Sequence, residues 1–286
     1  MLTLEDATVS QAELVHSMHD SPVSVALPEI EAAGAARDRR ALRREFTKAM
    51  AGDDFSLRFL PRCLLTTPRF TAAEVVIRWK HRRRGVIPEH MLMGLAEKAG
   101  IAEELSHWAF VESARVLAGL KRKICFAHTL TASQLRGPGL FDSIHMAMEE
   151  CGIPPSQLEL SISETTLAAL DDCALMVLGS LFDEGVAIAL NQFGASLGSL
   201  NLLSRIPLDY VKIDPSLVRG LSDDPSNVAM IRAVTDMAHS MGARVIAQGV
   251  ETEKQREILA KLRCDEVQGK IVATALTARE LALLAV

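Results

Sequence analysis

The chain has 286 residues, 49% of them hydrophobic, with a formal net charge of −5 and a pI near 5.9. That charge argues against a general nucleic-acid or anionic-membrane binder. A mean hydropathy of +0.17, with no apolar run of ~18 residues, argues against a membrane span. The length is ordinary for a single (β/α)8 barrel, which takes ~250 residues.

The chain opens with MLTLEDATVSQAEL, which lacks the basic and apolar regions of a secretory signal. Five scattered cysteines, Cys63, Cys125, Cys151, Cys173 and Cys264, include no Cys-x-x-Cys pair and read as reduced thiols in the cytoplasm. Residues 1–45 have no sustained period and are rich in Ala, Pro and charge, so they read as an extension: a leader, a small helical cap or a partner-binding arm. The segment ALRREFTKAMAG predicts a helix before the first strand, and residues 46–286 form the main domain.

From there short apolar runs alternate with amphipathic ones. Strands are predicted at FSLRFLPR, AEVVIRW, ICFAHTL, LELSIS, GVAIAL, DYVKID, RVIAQGV and EVQGK, rich in the β-branched residues of strands buried on both faces. Helical periods cover 89–100, 104–120, 140–152, 174–185, 227–242 and 253–264, several ending in glycine: Gly100, Gly152, Gly185 and Gly242. Strict alternation implies a parallel sheet, and eight strands imply closure into a barrel.

Barrel sites form at the C-terminal ends of the strands. The polar residues within or just after the apolar strands are Glu74, Arg78, Thr129, Ser161, Glu164, Asn191, Gln192, Lys212, Asp214, Gln248, Glu251 and Gln268. A charge inside a buried strand is costly unless paired or coordinated. So many on successive strands point to one convergent polar site; unrelated structural ion pairs are the alternative.

The ordered motifs AEVVIRWKHRRRGVIPEHMLMGLAEKAG, LELSISETTL, ALNQFGASLGSL, IPLDYVKIDPSLV, AQGVET and CDEVQG resemble those of the EAL family of cyclic-di-GMP phosphodiesterases, over roughly residues 55–276. The resemblance implies an EAL-type, TIM-like barrel. Glu74, opening Glu74-Val75-Val76 where the family has Glu-Ala-Leu, matches a metal-ligand glutamate. Glu164 matches a glutamate bracing the loop after the fifth strand. Lys212 matches a lysine near the attacking water, with Asp214 beside it. Arg78 matches a dinucleotide contact, and Glu251 and Gln268 fall in the later motifs.

The departures concentrate on the metal positions. Thr129 stands for a ligand asparagine, Ser161 for a ligand glutamate, Asn191 and Gln192 for two aspartates, and Gln248 for another glutamate. Leu60 replaces a glutamine that contacts guanine, Ala195-Ser196-Leu197 replaces Thr-Gly-Tyr, and Lys270 and Ala275 break the last motif. Mg²⁺ dehydrates reluctantly and needs carboxylates, and two-metal hydrolysis depends on such ions. At ~1.5–3 kcal/mol per charged contact, the losses cost several orders of magnitude in metal affinity.

The resemblance therefore implies a catalytically inactive domain with vestigial Glu74, Lys212 and Glu251, no metal, and a protein partner in bacterial signalling. One alternative is a metal-independent cyclic-di-GMP receptor using Arg78, Lys212, Asp214 and Gln268. Another is a weak phosphodiesterase using Mg²⁺ or Mn²⁺. Lys212 would either attract a phosphate or pair with Glu164, Asp214 or Glu251 in a buried network. A homodimer fits the family as well. The basic run Lys80-His81-Arg82-Arg83-Arg84 reads as a solvated loop or a contact for an acidic partner, and the eight histidines show no metal-ligand spacing.

Overall fold

The computed structural model describes residues 32–284 apart from 53, 68, 195–202 and 204; most of the expected extension, residues 1–31, lies outside the described residues. Helix α1 (Ala32–Met50) starts earlier than ALRREFTKAMAG suggests and buries Phe46 and Ala49. Phe46 meets Trp79 with ring centroids 4.5 Å apart, and Phe55 meets Trp79 at 5.3 Å. This aromatic cluster fixes α1 to the first two strands.

Strands β1 (Phe55–Leu64) and β2 (Phe70–His81) form a hairpin, and β3 (Gly85–Ile87) folds back on β2. Then follow β4 (Cys125–Leu130), β5 (Leu158–Ser163), β6 (Ala187–Phe193), β7 (Tyr210–Ile213), β8 (Arg244–Ala247) and β9 (Glu266–Gln268). The strands pair in the order β2, β4, β5, β6, β7, β8, β9, and β9 returns to β1, closing an eight-stranded barrel with β3 outside the ring.

All eight expected strands are present, but the sheet is not wholly parallel. β1 runs antiparallel to both β2 and β9. The reason is the short link between Leu64 and Phe70: a parallel neighbour needs a crossover of a dozen or more residues, whereas so short a link joins only antiparallel strands.

Helices α2 (Glu89–Ala99), α3 (Ala102–Ala118), α5 (Leu140–Cys151), α7 (Asp172–Asp183), α9 (Pro225–Ser240) and α10 (Glu253–Lys261) carry most of the outer layer. Gly100 and Gly152 end α2 and α5 in the left-handed conformation, φ 67° and 65°, which needs no Cβ. Short α4 (Ala132–Arg136), α6 (Glu164–Ala168), α8 (Pro215–Arg219) and α11 (Ala278–Leu284) complete it. Thr131 with Gln134, and Thr252 with Gln255, close reciprocal capping boxes at α4 and α10.

Strand alternation sorts the side chains. On β5, Leu158, Leu160 and Ile162 join the apolar layer shared with the helices, while Glu159 and Ser161 point the other way, into the barrel. There Glu159 Oε1 sits 2.7 Å from Lys212 Nζ, and Oε2 sits 2.8 Å from an Arg62 Nη. Arg62 Nε reaches Glu266 Oε2 at 2.6 Å, Arg244 reaches Glu266 Oε1 at 2.9 Å, and Thr71 donates to Glu266. The Arg62 guanidinium also lies 4.6 Å from the Tyr210 ring centroid. Arg62 Nε, Glu159 Oε2 and Glu266 Oε1 are close to opposite charge yet have no well-directed hydrogen bond, so their attraction is Coulombic.

Glu159 and Glu266 are fully buried, and Lys212 is 1% exposed. Burial alone would raise the Glu159 pKa, but Arg62 and then Lys212 outweigh it and pull the carboxyl down, to about 2. Because the folded-state value lies below the unfolded one, this contribution to stability is present above the ordinary carboxylate range and lost as pH falls toward 2. Glu159→Gln leaves two buried cations under-compensated. It should destabilise the fold by about 3–5 kcal/mol in denaturant titration at pH 7, by progressively less as pH falls toward 2.

Candidate functional site

At the mouth, where β4 to β9 end, a second polar cluster lies above these ion pairs. β1 sets Leu60 directly opposite Glu74 of β2, so both share one face of the pair. Gln268 at the end of β9 donates from Nε2 to Glu74 Oε2 at 3.0 Å and to the Leu60 carbonyl at 3.2 Å. Gln248, following β8, donates to Gln268 Oε1 at 3.2 Å. The Thr129 hydroxyl stands 3.5 Å from Glu74 Oε1. The sequence-identified Glu74, Thr129, Gln248 and Gln268 thus meet in one network with a single carboxylate.

Two glycines permit this closeness. Gly249, φ 74°, follows Gln248, and an added Cβ would come 2.8 Å from Pro215; at Gly269, φ 146°, it would come 2.4 Å from the Val250 carbonyl oxygen. The two loops interlock, with Val250 N–H donating to the Gln268 carbonyl at 3.0 Å. Both glutamines are thereby presented to Glu74 by a fixed backbone.

Asn191 and Gln192 adopt an unusual shape. Pairing of β6 with β7 slips between Leu190 and Phe193, and Gln192 adopts φ 56°, a left-handed value rare outside glycine. The Asn191 carbonyl oxygen Oδ1 accepts from the Gln192 N–H at 3.1 Å. Asn191 is buried and Gln192 exposed. Ala195-Ser196-Leu197 lie outside the described residues.

The remaining candidates divide. Ser161 accepts from Lys212 Nζ at 2.7 Å, so these two belong with Glu159 in the barrel interior. The buried-network alternative for Lys212 named Glu164, Asp214 or Glu251; the 2.7 Å ion pair is with Glu159, because Lys212 projects inward from β7. Glu164 is buried at the first position of α6, whose preceding Ser163 caps the helix. Asp214 caps α8 by accepting from the Ser216 N–H at 2.8 Å. Glu251 is exposed and 3.3 Å from Lys270 Nζ. Arg78 lies two pairing positions along β2 from Val76 on the Glu74 face and has no ion pair or hydrogen bond among the described residues.

Sequence reasoning passed over Arg62, Glu159 and Glu266, although a charge inside LELSIS or beside the apolar run of EVQGK is itself the signal. It also passed over Glu89, in the first turn of α2. There Glu89 Oε1 faces the Ile77 N–H at 3.5 Å. Burial, then the charge of Glu74, pushes the Glu89 pKa up to about 8, against that hydrogen bond. Since the folded-state value exceeds the unfolded one, stability falls as pH rises from the ordinary carboxylate range toward 8. Glu89→Gln removes this penalty, so its melting temperature should exceed that of the wild type more at pH 8 than at pH 4.

The donor set does not fit Mg²⁺ or Mn²⁺. Hard divalent ions take carboxylate oxygens, whereas these positions supply Glu74 with hydroxyls at Thr129 and Ser161 and amides at Asn191, Gln192 and Gln248. Among the described residues no three His, Cys, Asp or Glu side chains gather into a metal-binding group.

A family model described as EAL domain matches residues 42–275. The chain is 29% identical over 250 residues to the bifunctional diguanylate cyclase/cyclic di-GMP phosphodiesterase MucR of Pseudomonas aeruginosa, covering 86% of this chain and 36% of that protein. It is 27% identical to the cyclic di-GMP phosphodiesterase PdeR of Escherichia coli, covering 79% and 34%. The chain thus spans about a third of the length of these curated relatives. Among solved structures, the PaMucR phosphodiesterase in complex with c-di-GMP superposes with a TM-score of 0.77 at 29% identity, over 84% of this chain and 99% of that one. No helix among the described residues is long and apolar enough to cross a membrane.

Proposed function

The chain belongs to the EAL-domain family, and we propose that it is a non-hydrolysing member that acts in bacterial cyclic-di-GMP signalling by binding a protein partner. The observation that carries this reading is the state of Glu74. One oxygen accepts from the Gln268 amide and the other faces the Thr129 hydroxyl. The carboxylate is thus engaged by neutral side chains, at positions where the family uses several acids around metal ions.

The inward cations fit the same reading. Lys212 is buried and neutralised by Glu159, so it offers no free ammonium to a water or a phosphate at the mouth. A mouth with amides at these positions and its lysine paired inward lacks the charge arrangement that two-metal hydrolysis needs.

The purified chain, incubated with cyclic-di-GMP and Mg²⁺ or Mn²⁺, should yield no linear dinucleotide by chromatography. Turnover that vanishes in Glu74→Ala would overturn the proposal and establish the weak phosphodiesterase instead. Restoring acids with Asn191→Asp, Gln192→Asp and Gln248→Glu should raise Mn²⁺ affinity about 1000-fold, taking the low end of the ~1.5–3 kcal/mol for each charged contact.

Arg78 favours a second reading, a metal-independent cyclic-di-GMP receptor. Its guanidinium makes no ion pair among the described residues and shares the Glu74 face of β2; a planar guanidinium suits phosphate. Calorimetric titration with EDTA present distinguishes the two. Saturable heat that Arg78→Ala abolishes supports the receptor, and no binding by calorimetry or by fluorescence leaves the protein-partner reading.

A further inference from the structure

We infer that the β2–β3 hairpin is a docking surface for an acidic segment of a partner protein. The inference rests on the partner-binding reading and names the chemistry of what is bound. β2 runs on for six residues from Glu74 to Lys80, about 20 Å at ~3.3 Å per residue, and so carries its tip well beyond the level of Glu74 at the barrel mouth. Lys80, Arg82, Arg83 and Arg84 are all exposed at that tip. None makes a side-chain ion pair or hydrogen bond among the described residues. By contrast, Arg43 on the nearby α1 is paired with Glu104 at 3.0 Å.

The turn is ordered without using these cations. His81 Nδ1 accepts from the backbone N–H groups of Arg83 and Arg84 at 3.1 and 3.2 Å. Its Nε2 faces Glu45 at 3.4 Å, and its ring meets Trp79 edge-on at 4.9 Å. This leaves Nε2 as the protonated nitrogen and occupies Glu45, the acid beside the turn. A backbone ordered beforehand lowers the entropic cost of binding.

The surface is not purely charged. Val86 is 58% exposed and pairs across the hairpin with Lys80. Arg78, two residues before Lys80, extends the cationic strip toward the mouth. A short segment of Asp and Glu with an interspersed aliphatic side chain matches this arrangement. The match suits a protein segment better than nucleic acid or a membrane. Both of those present extended anionic surfaces, which would also meet the rest of a chain of net charge −5.

The test is fluorescence anisotropy with a fluorescein-labelled peptide of four Glu-Glu-Leu repeats and the full chain. The wild type should bind with an affinity that falls as salt rises. Arg82→Glu, Arg83→Glu and Arg84→Glu together should weaken binding about tenfold or more, since several exposed pairs are lost at once. Reversal of Lys121, Arg122 and Lys123 to Glu makes the same charge change before β4, at the opposite end of the barrel, and should leave affinity within about twofold. His81→Ala keeps all four cations but frees the turn, and should weaken binding less than the hairpin reversal does. Circular dichroism checks that each variant is folded, and Arg→Gln versions replace any that is not.

No binding by the wild type, equal loss in both triple variants, or tighter binding of a twelve-nucleotide RNA or of phosphatidylserine vesicles would overturn the inference. Cyclic-di-GMP cleavage measured on the same samples reports separately on the non-hydrolysing reading, so failure of either is recognisable.

Discussion

The barrel closes around opposite charges. Lys212, Glu159, Arg62, Glu266 and Arg244 follow one another across the interior, joining β7, β5, β1, β9 and β8. Each acid has two cationic neighbours, and only such pairing makes burial of charge tolerable. The arrangement ties the antiparallel β1 to strands on both sides of the ring. It also holds Lys212 beneath the mouth, paired with Glu159.

Above those ion pairs the backbone takes two unusual shapes. Pairing slips at the bulge in β6, and Gln192 is left-handed, although a non-glycine residue in that region carries a conformational cost. The glycine-dependent packing of Gly249 and Gly269 likewise still delivers side chains toward Glu74. The delivered groups are amides and hydroxyls, which bond to one another and to the single acid. The mouth holds a hydrogen-bonded network of amides and a hydroxyl around one carboxylate.

Much of this was legible in the sequence. The eight strands announce themselves because strands buried on both faces read as unbroken apolar runs, and the glycines after the helices mark their ends. Glu74, Thr129, Gln248 and Gln268 were identifiable as polar residues at strand ends, and they do meet. The antiparallel β1 escapes the alternation pattern because no helix separates the first two strands. The partner of Lys212 is hidden for a different reason: Glu159 lies within the apolar run LELSIS, and only the inward phase of β5 and β7 brings the two together. Glu89 depended on the path of α2 across β2, a tertiary contact that periodicity does not encode.

The reversed first strand has a consequence for where α1 sits. In a wholly parallel barrel the chain begins at the floor, across the core from the loops where ligands sit. Here β1 descends from the mouth, with Phe55 beside Trp79 and Leu64 beside Glu266. Helix α1 therefore arrives on the functional side, clasped to Trp79 through Phe46. The end of α1 that leads into β1 thus lies beside the mouth, packed on β2, the strand that carries both Glu74 and the basic hairpin.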